Sequence, residues 1–391
     1  GSADVSQLGV EAPDDKTLVI TLATPDSSFL SNVDLFPCRK DYVEQYGDSY
    51  GSDADKVISC GPFTLKEWVH DSSLTFEKNE EYWDKDSVQL SKFTFYVMND
   101  INARMSSFEN GSLDYVNVSN SEYIQKFSSD SSLVSEPISA GRTFMIVFNC
   151  EDEVFSNEKI RLAFSLALDR ETMAEIITGG TGVAATGLIP PESSVGTYNF
   201  REKAGDVMGK LQKENTDLKA LLLEGMKEAG LGTDPSALNV KFSWGATTAD
   251  ARTYSELVQK MWKDTLGVNV ELEFNDTATH MSNINSGDYQ CASTSWGANL
   301  EPLFLLSRWA NKKGGQSRWV NSDYTKLVYS GKAENDDAKR LEKYIEAEDM
   351  LISSGAIAPC YWTGSIRFSY GYVKNFSDNV FDTIGMKYMY T

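Results

Sequence analysis

Apolar positions along this chain follow two rhythms, and the alternation between them outlines its elements. Thr17-Leu18-Val19-Ile20-Thr21-Leu22 alternates with period two after the polar turn Pro13-Asp14-Asp15, so residues 3–30 are predicted to form paired strands. Phe63–Trp68 and Leu74–Glu77 alternate around the turn His70-Asp71-Ser72-Ser73, and Lys92–Val97 repeats the pattern. A helix is predicted from Ile101 to Asn110, stopped by Gly111, with extended chain resuming at Leu113–Val116.

From residue 144 the rhythms take turns. Phe144–Phe148 is a near-continuous apolar run, the composition of a strand buried on both faces. Ile160, Ala163, Phe164, Ala167 and Leu168 share one helical face, which predicts a single helix over Asn157–Thr178 ended by Gly179-Gly180. Leu218, Leu221, Leu222 and Met226 form a helical stripe ended by Gly230. A strand at Val240–Trp244, a helix carrying Tyr254, Leu257, Val258, Met261 and Trp262 up to Gly267, and a strand at Val268–Phe274 follow. Next come a strand from Asp288 into Trp296, a helix at Ala338–Ser353 and a strand at Ile357–Trp362; extended chain returns at Ile366–Tyr370. Strands alternating with helices of this length imply an α/β fold whose sheet is mostly parallel, with helices on both faces.

Composition narrows the function. At 391 residues the chain exceeds one compact core and predicts two lobes or three. A net charge of −21 with no Lys/Arg-rich run argues against nucleic acid as partner. There is no apolar run of spanning length and no charged-then-apolar leader. The five cysteines, Cys38, Cys60, Cys150, Cys291 and Cys360, lack C-x-x-C spacing, so no metal site is expected. Cys38–Cys60 is the one disulfide expected, and the odd count leaves a thiol over. No G-x-S-x-G, G-x-x-x-x-G-K-[ST] or H-E-x-x-H is present, and Gly180–Ala185 fits a dinucleotide fingerprint only superficially because it follows a helix. His70 and His280 are the only histidines, each expected on a polar surface turn, which disfavours a triad hydrolase. The acid-rich Asp48–Asp55 lacks calcium-loop spacing and reads as a loop. With 57 acidic residues, a glycosidase-like carboxylate pair could be drawn almost anywhere, so none is informative.

The stretch with most chemical promise is Ser293–Arg308, S-T-S-W-G-A-N-L-E-P-L-F-L-L-S-R. A strand runs into Trp296, Gly297 ends it, and Pro302 opens a helix carrying Leu303–Leu306. Strand ends beside helix N-termini are where ligands dock in open α/β sheets. An ordinary turn with Trp296 in the core fits the same letters.

G-P-F-T-L-K-E-W (Gly61–Trp68), K-N-E-E-Y-W-D (Lys78–Asp84) and F-E-N-G-S-L-D-Y (Phe108–Tyr115) resemble the oligopeptide/dipeptide-binding family of extracytoplasmic solute-binding proteins, which serve ABC importers. The resemblance continues at Ile160–Arg170, Gly187–Pro191 and Trp296–Pro302, where the family has W-x-x-D and then an acid-proline pair. Cys60 stands where Thr is usual, and Asn299 where Asp is frequent. The resemblance implies a two-lobed periplasmic-binding-protein-like (type II) fold of mixed sheets with helices on both faces. It places remnant strands at 1–30, lobe I at 31–143 plus 367–391 and a ligand-clamping lobe II at 144–366. The N-terminal part of lobe I and most of a small extra domain are expected to be missing.

The implied function is binding of a peptide in an interlobe cleft, without catalysis or cofactor, and delivery to a membrane permease by a monomer. The implied place is extracytoplasmic: the periplasm, or the surface of a Gram-positive cell as a lipoprotein. Ser295, Trp296, Gly297, Asn299, Glu301 and Trp244 are the expected ligand-binding residues. In the family the Asp of W-x-x-D holds the ligand's ammonium; the Asn299 amide accepts a hydrogen bond without the charge, and Glu301 is the candidate replacement. Asn299 also keeps open a sugar or nickel-chelate cargo on the same scaffold. A secreted hydrolase is a more distant alternative.

Overall fold

The structure, a computed structural model, describes residues 8–32, 36–311, 313–376, 381 and 385–391. The chain divides into two compact units: Gly1–Val33, Gly141–Ile176 and Ala184–Trp362 form the larger, and Asp34–Ala140, Ile177–Val183 and Thr363–Thr391 the smaller. The described N-terminal residues 8–32 thus group with the larger unit, and the short 177–183 segment with the smaller.

The larger unit is built on a sheet. Its strands are β1 (Leu133–Phe148, which enters from the smaller unit), β2 (Val240–Trp244), β3 (Val270–Phe274), β4 (Cys291–Gly297) and β5 (Ile357–Tyr370, which leaves again). Their order is β3-β2-β4-β1-β5. β2 is parallel to β3 and β4, but β4 is antiparallel to β1. The sheet is therefore mixed, not mostly parallel. Parallel neighbours need a crossover, usually helical, and the chain running from β2 through β3 to β4 supplies it.

Helices α1 (Glu158–Leu166), α2 (Ala249–Leu266), α3 (Thr277–Ser286) and α4 (Asp337–Ser353) start on side-chain caps: Asn157, Thr248, Asp276 and Asp336 each accept from a first-turn N–H. α2 and α3 end on left-handed glycines, Gly267 (φ 79°) and Gly287 (φ 87°). The single helix predicted for 157–178 is two, α1 and Arg170–Thr178. Between them Asp169 recaps the chain by accepting from Thr172, and the buried Arg170 guanidinium binds the carbonyls of Ser165, Leu168 and Pro359. Apolar periodicity runs through such a break because both helices bury the same side.

Met145, Val147, Leu188, Ile189, Phe200, Ala292, Leu305, Leu306, Trp309 and Tyr344 belong to one buried cluster of this unit. Trp262 is fully buried and donates its indole N–H to Phe164 O at 2.9 Å. The hairpin Val10–Asp14/Thr17–Ile20 pairs antiparallel and leaves its side chains largely exposed.

The smaller unit has a three-stranded antiparallel sheet, Phe63–Val69, Ser73–Lys78 and Lys92–Tyr96, turned at Asp71, whose φ is +58°. Phe63, Val88, Val373, Met386 and Met389 form one small core, and Met105, Phe108, Val116, Val118, Phe127 and Phe368 another. Tyr115–Val118 pairs antiparallel with the outer part of β5. The expected Cys38–Cys60 disulfide is absent: both thiols are free and exposed, and Cys38 Sγ turns back to its own Phe36 carbonyl. Among the described residues no helix is long and apolar enough to cross a membrane, and no cluster of metal-ligating side chains forms.

Candidate functional site

The strand β4 changes character along its length. Cys291 and Ala292 pair with β2 on one side, and the whole strand pairs with β1 on the other, from Cys291↔Phe148 to Gly297↔Arg142. Beyond Ala292, β2 no longer accompanies it. The Ala298 N–H bonds Gly141 O at 2.7 Å. By the antiparallel alternation, Thr294 and Trp296 then turn their main-chain groups toward β1, while Ser293, Ser295 and Gly297 turn theirs away. The Ser293 carbonyl on that outer side accepts from His280 Nε2 at 2.8 Å, and the Ser295 carbonyl from Arg142 Nη1 at 3.3 Å. The N–H of Ser295 and the main chain of Gly297 remain along an open strand edge, the element to which an extended ligand can add as a further strand.

Trp296 is half-buried. Its indole N–H donates to Gln316 Oε1 at 2.9 Å, and the Arg308 guanidinium lies 3.4 Å from the ring centroid. Arg142 also donates to Ser295 Oγ at 3.0 Å. Asn299 is half-buried; its carbonyl accepts from Ser193 Oγ at 2.9 Å, and the next carbonyl, Leu300, accepts from Ser194 N at 2.7 Å. The 193–194 segment is anchored from behind. The buried pair Arg201–Glu348 (2.5 Å) binds Ile189 on both of its polar groups, the carbonyl through Arg201 and the N–H through Glu348. A buried charge pair keeps its place when its remaining hydrogen bonds are made to main chain in this way.

Two of the expected ligand-binding residues are buried. Glu301 is 4% exposed and pairs with Arg340 at 3.3 Å, Arg340 being held also by Asp337 at 2.7 Å. Burial pushes the Glu301 carboxyl above its ordinary range, and Arg340 pulls it partly back. Trp244 is 7% exposed among Phe144, Phe242 and Tyr254, as a member of an aromatic core. The helix after Pro302 is a single turn, Leu303–Leu306, too short for a sizeable dipole.

His280, expected on a polar turn, is buried in α3. Nε2 donates to Ser293 O and Nδ1 accepts from Ser243 Oγ at 3.0 Å, an arrangement that suits the neutral ring. Burial lowers its pKa. His70 does sit on an exposed turn, 2.8 Å from Asp53. Arg142, Gln316 and the Arg201–Glu348 pair carry no site signal in the sequence, and Arg308 reads there as a weaker candidate whose packing or exposure fits equally well. Each meets its partner from far along the chain, and only the β4–β1 register brings Arg142 beside Ser295.

Comparison with known proteins agrees with this architecture. The family described as bacterial extracellular solute-binding proteins, family 5 (middle), matches residues 2–317. The oligopeptide-binding protein OppA of Bacillus subtilis is 30% identical over 372 residues, 93% of this chain and 67% of that protein. The dipeptide-binding protein DppE of the same organism is 29% identical over 384 residues, 96% of this chain and 68% of DppE. The solved structure of Listeria monocytogenes OppA bound to peptide superimposes with a TM-score of 0.71 at 26% identity, covering 98% of this chain and 75% of that one. The chain belongs to the family 5 bacterial extracellular solute-binding proteins, and its fold is that of the two-lobed peptide-binding proteins.

Proposed function

We propose that this protein binds peptides outside the cytoplasm and delivers them to a membrane ABC permease, making and breaking no bond in its cargo. One observation carries the reading: β4 keeps β1 on one side and loses β2 on the other after Ala292, so Ser295 and Gly297 offer main-chain groups at an open edge. Pairing through main chain is indifferent to ligand sequence, which suits a carrier of many peptides. Trp296 forms the wall beside that edge, and the Asn299 amide is an uncharged anchor for a ligand end. Glu301 and Trp244, being buried, serve the fold. The protein works as a monomer, in the periplasm or, in a Gram-positive cell, tethered to the surface.

Isothermal titration with a mixed tri- to pentapeptide library tests this, followed by backbone N-methylation of the best binder. Methylating the amides that face β4 is expected to weaken binding about tenfold or more, since each removes a hydrogen bond and leaves its acceptor unpaired. Heat from no peptide, or indifference to methylation at every amide, refutes main-chain recognition. The neutral Asn299 favours one second reading, a non-peptide solute on the same scaffold. A thermal-shift screen over oligosaccharides and nickel chelates separates the two.

A further inference from the structure

The charged side chains in contact with Ser295 and Trp296 are arginines. Asn299 is neutral and Glu301 is turned onto Arg340, so Ser295–Glu301 presents no free carboxylate. Arg308 is the opposite case. Its guanidinium lies face-on to Trp296 at 3.4 Å and 4.6 Å from the Phe304 ring centroid, and it forms no hydrogen bond or ion pair with any described residue. Its Nε is buried and unpaired. Burial alone lowers its pKa, with no carboxylate acting to raise it, in a chain that carries 57 acids against 36 bases. A second donor stands at the same indole. Gln316 uses Oε1 to accept from Trp296, and its buried Nε2 has no partner.

Two buried donors without an acceptor around one aromatic ring are costly to the empty protein and complementary to an anion. Stacking fixes the plane of the guanidinium and leaves its N–H edge for in-plane acceptors, the geometry that a carboxylate matches with two parallel bonds. We propose that Arg308, held flat against Trp296 and seconded by the Gln316 amide, is a carboxylate subsite, so that the peptides selected at this strand end are acidic ones. The proposal rests on the peptide reading above and adds a substrate class to it. Arg308 recognises the carboxylate; Trp296 and Phe304 orient Arg308.

Calorimetric titration of the full chain with alanine pentapeptides, in which Glu, Gln or Lys is walked through every position, decides it. At one position Glu is expected to bind about tenfold tighter than Gln, the worth of a charge-assisted bond over a neutral one, with Lys weakest. Arg308→Met, which keeps an apolar stem on the indole, is expected to bring the Glu-to-Gln ratio close to one. Arg308→Lys, which keeps the charge without the fork, is expected to leave an intermediate ratio. Equal affinities for Glu and Gln at every position in the parent overturn the subsite and leave the peptide reading standing. A ratio that survives in Arg308→Met overturns it too. If Arg308→Met binds nothing, the lysine variant decides, and an unchanged ratio there counts against the proposal. No binding of any pentapeptide by the parent overturns both readings together.

Discussion

The two halves of β4 make an informative pair. Cys291–Thr294 is buried and begins between two strands, while Ser295–Gly297 has one strand beside it and is half-buried. The residues follow the change. The inner half is small or hydroxylic, with its polar groups met from within the fold, as His280 meets Ser293. The outer half carries Trp296 and an arginine on each flank, Arg142 at Ser295 and Arg308 at Trp296. A single strand is thus core at one end and an edge at the other. What separates the two ends is where the neighbouring strand β2 stops.

The contrast can be broken most severely from the inner side. Phe242 lies in register with Cys291, fully buried and edge-on to Trp244 and Trp262. Phe242→Ala is expected to cost ~3–5 kcal/mol in urea unfolding. Trp296→Ala, removing a larger but half-exposed ring, is expected to cost under ~2 kcal/mol and to act mainly on ligand affinity. Equal losses would mean that the outer half is core as well.

Next in size is the ion pair that turns Glu301 away from the edge. Arg340→Met leaves a buried carboxylate without its cation and is expected to cost about 3 kcal/mol at neutral pH. The Glu301 pKa is already raised in the folded protein, mainly by burial. A raised folded pKa contributes stability that is present below the unfolded value, near the ordinary Glu range, and is lost as pH rises through the folded value. Removing Arg340 raises that pKa further, so the variant should regain stability relative to the parent as pH falls from 7 to 5. A difference in melting temperature that stays constant over that range contradicts the assignment.

The smallest effect sharpens the junction between the halves. The His280 pKa is lowered by burial, so its stabilising share is present above pH ~6.5 and is lost as pH falls through the folded value. His280→Gln is expected to cost about 1 kcal/mol at pH 7 and to flatten the acid-side slope that the parent shows below pH ~6.5. An unchanged slope shows that His280 does not carry it.

Much of this architecture was legible from residues alone where local chemistry decides it. Val240–Trp244 is a strand with the predicted bounds, and the helix at Leu218–Glu228 and α2 carry the predicted apolar stripes. β1 was read only in part, as Phe144–Phe148, because Leu133–Ala140 runs largely at the surface and lacks the apolar signal. The direction of β4 against β1 was not legible, since it depends on how β1 arrives and not on either strand's sequence. The candidate site divides in the same way. That Ser295, Trp296 and Gly297 stand at a strand end follows from a strand that stops at glycine, whereas Glu301 reads as an available acid until Arg340, 39 residues on, is seen beside it.

All five cysteines remain thiols, two at the surface of the smaller unit and three in the larger, where burial pushes Cys150 up to about 11 and Cys360 up to about 12. Neither unit, as described, is stapled by a disulfide, so burial and hydrogen bonding hold each of them together. Cys38 and Cys60 are left as natural attachment points for a fluorophore, and both would report on the same unit.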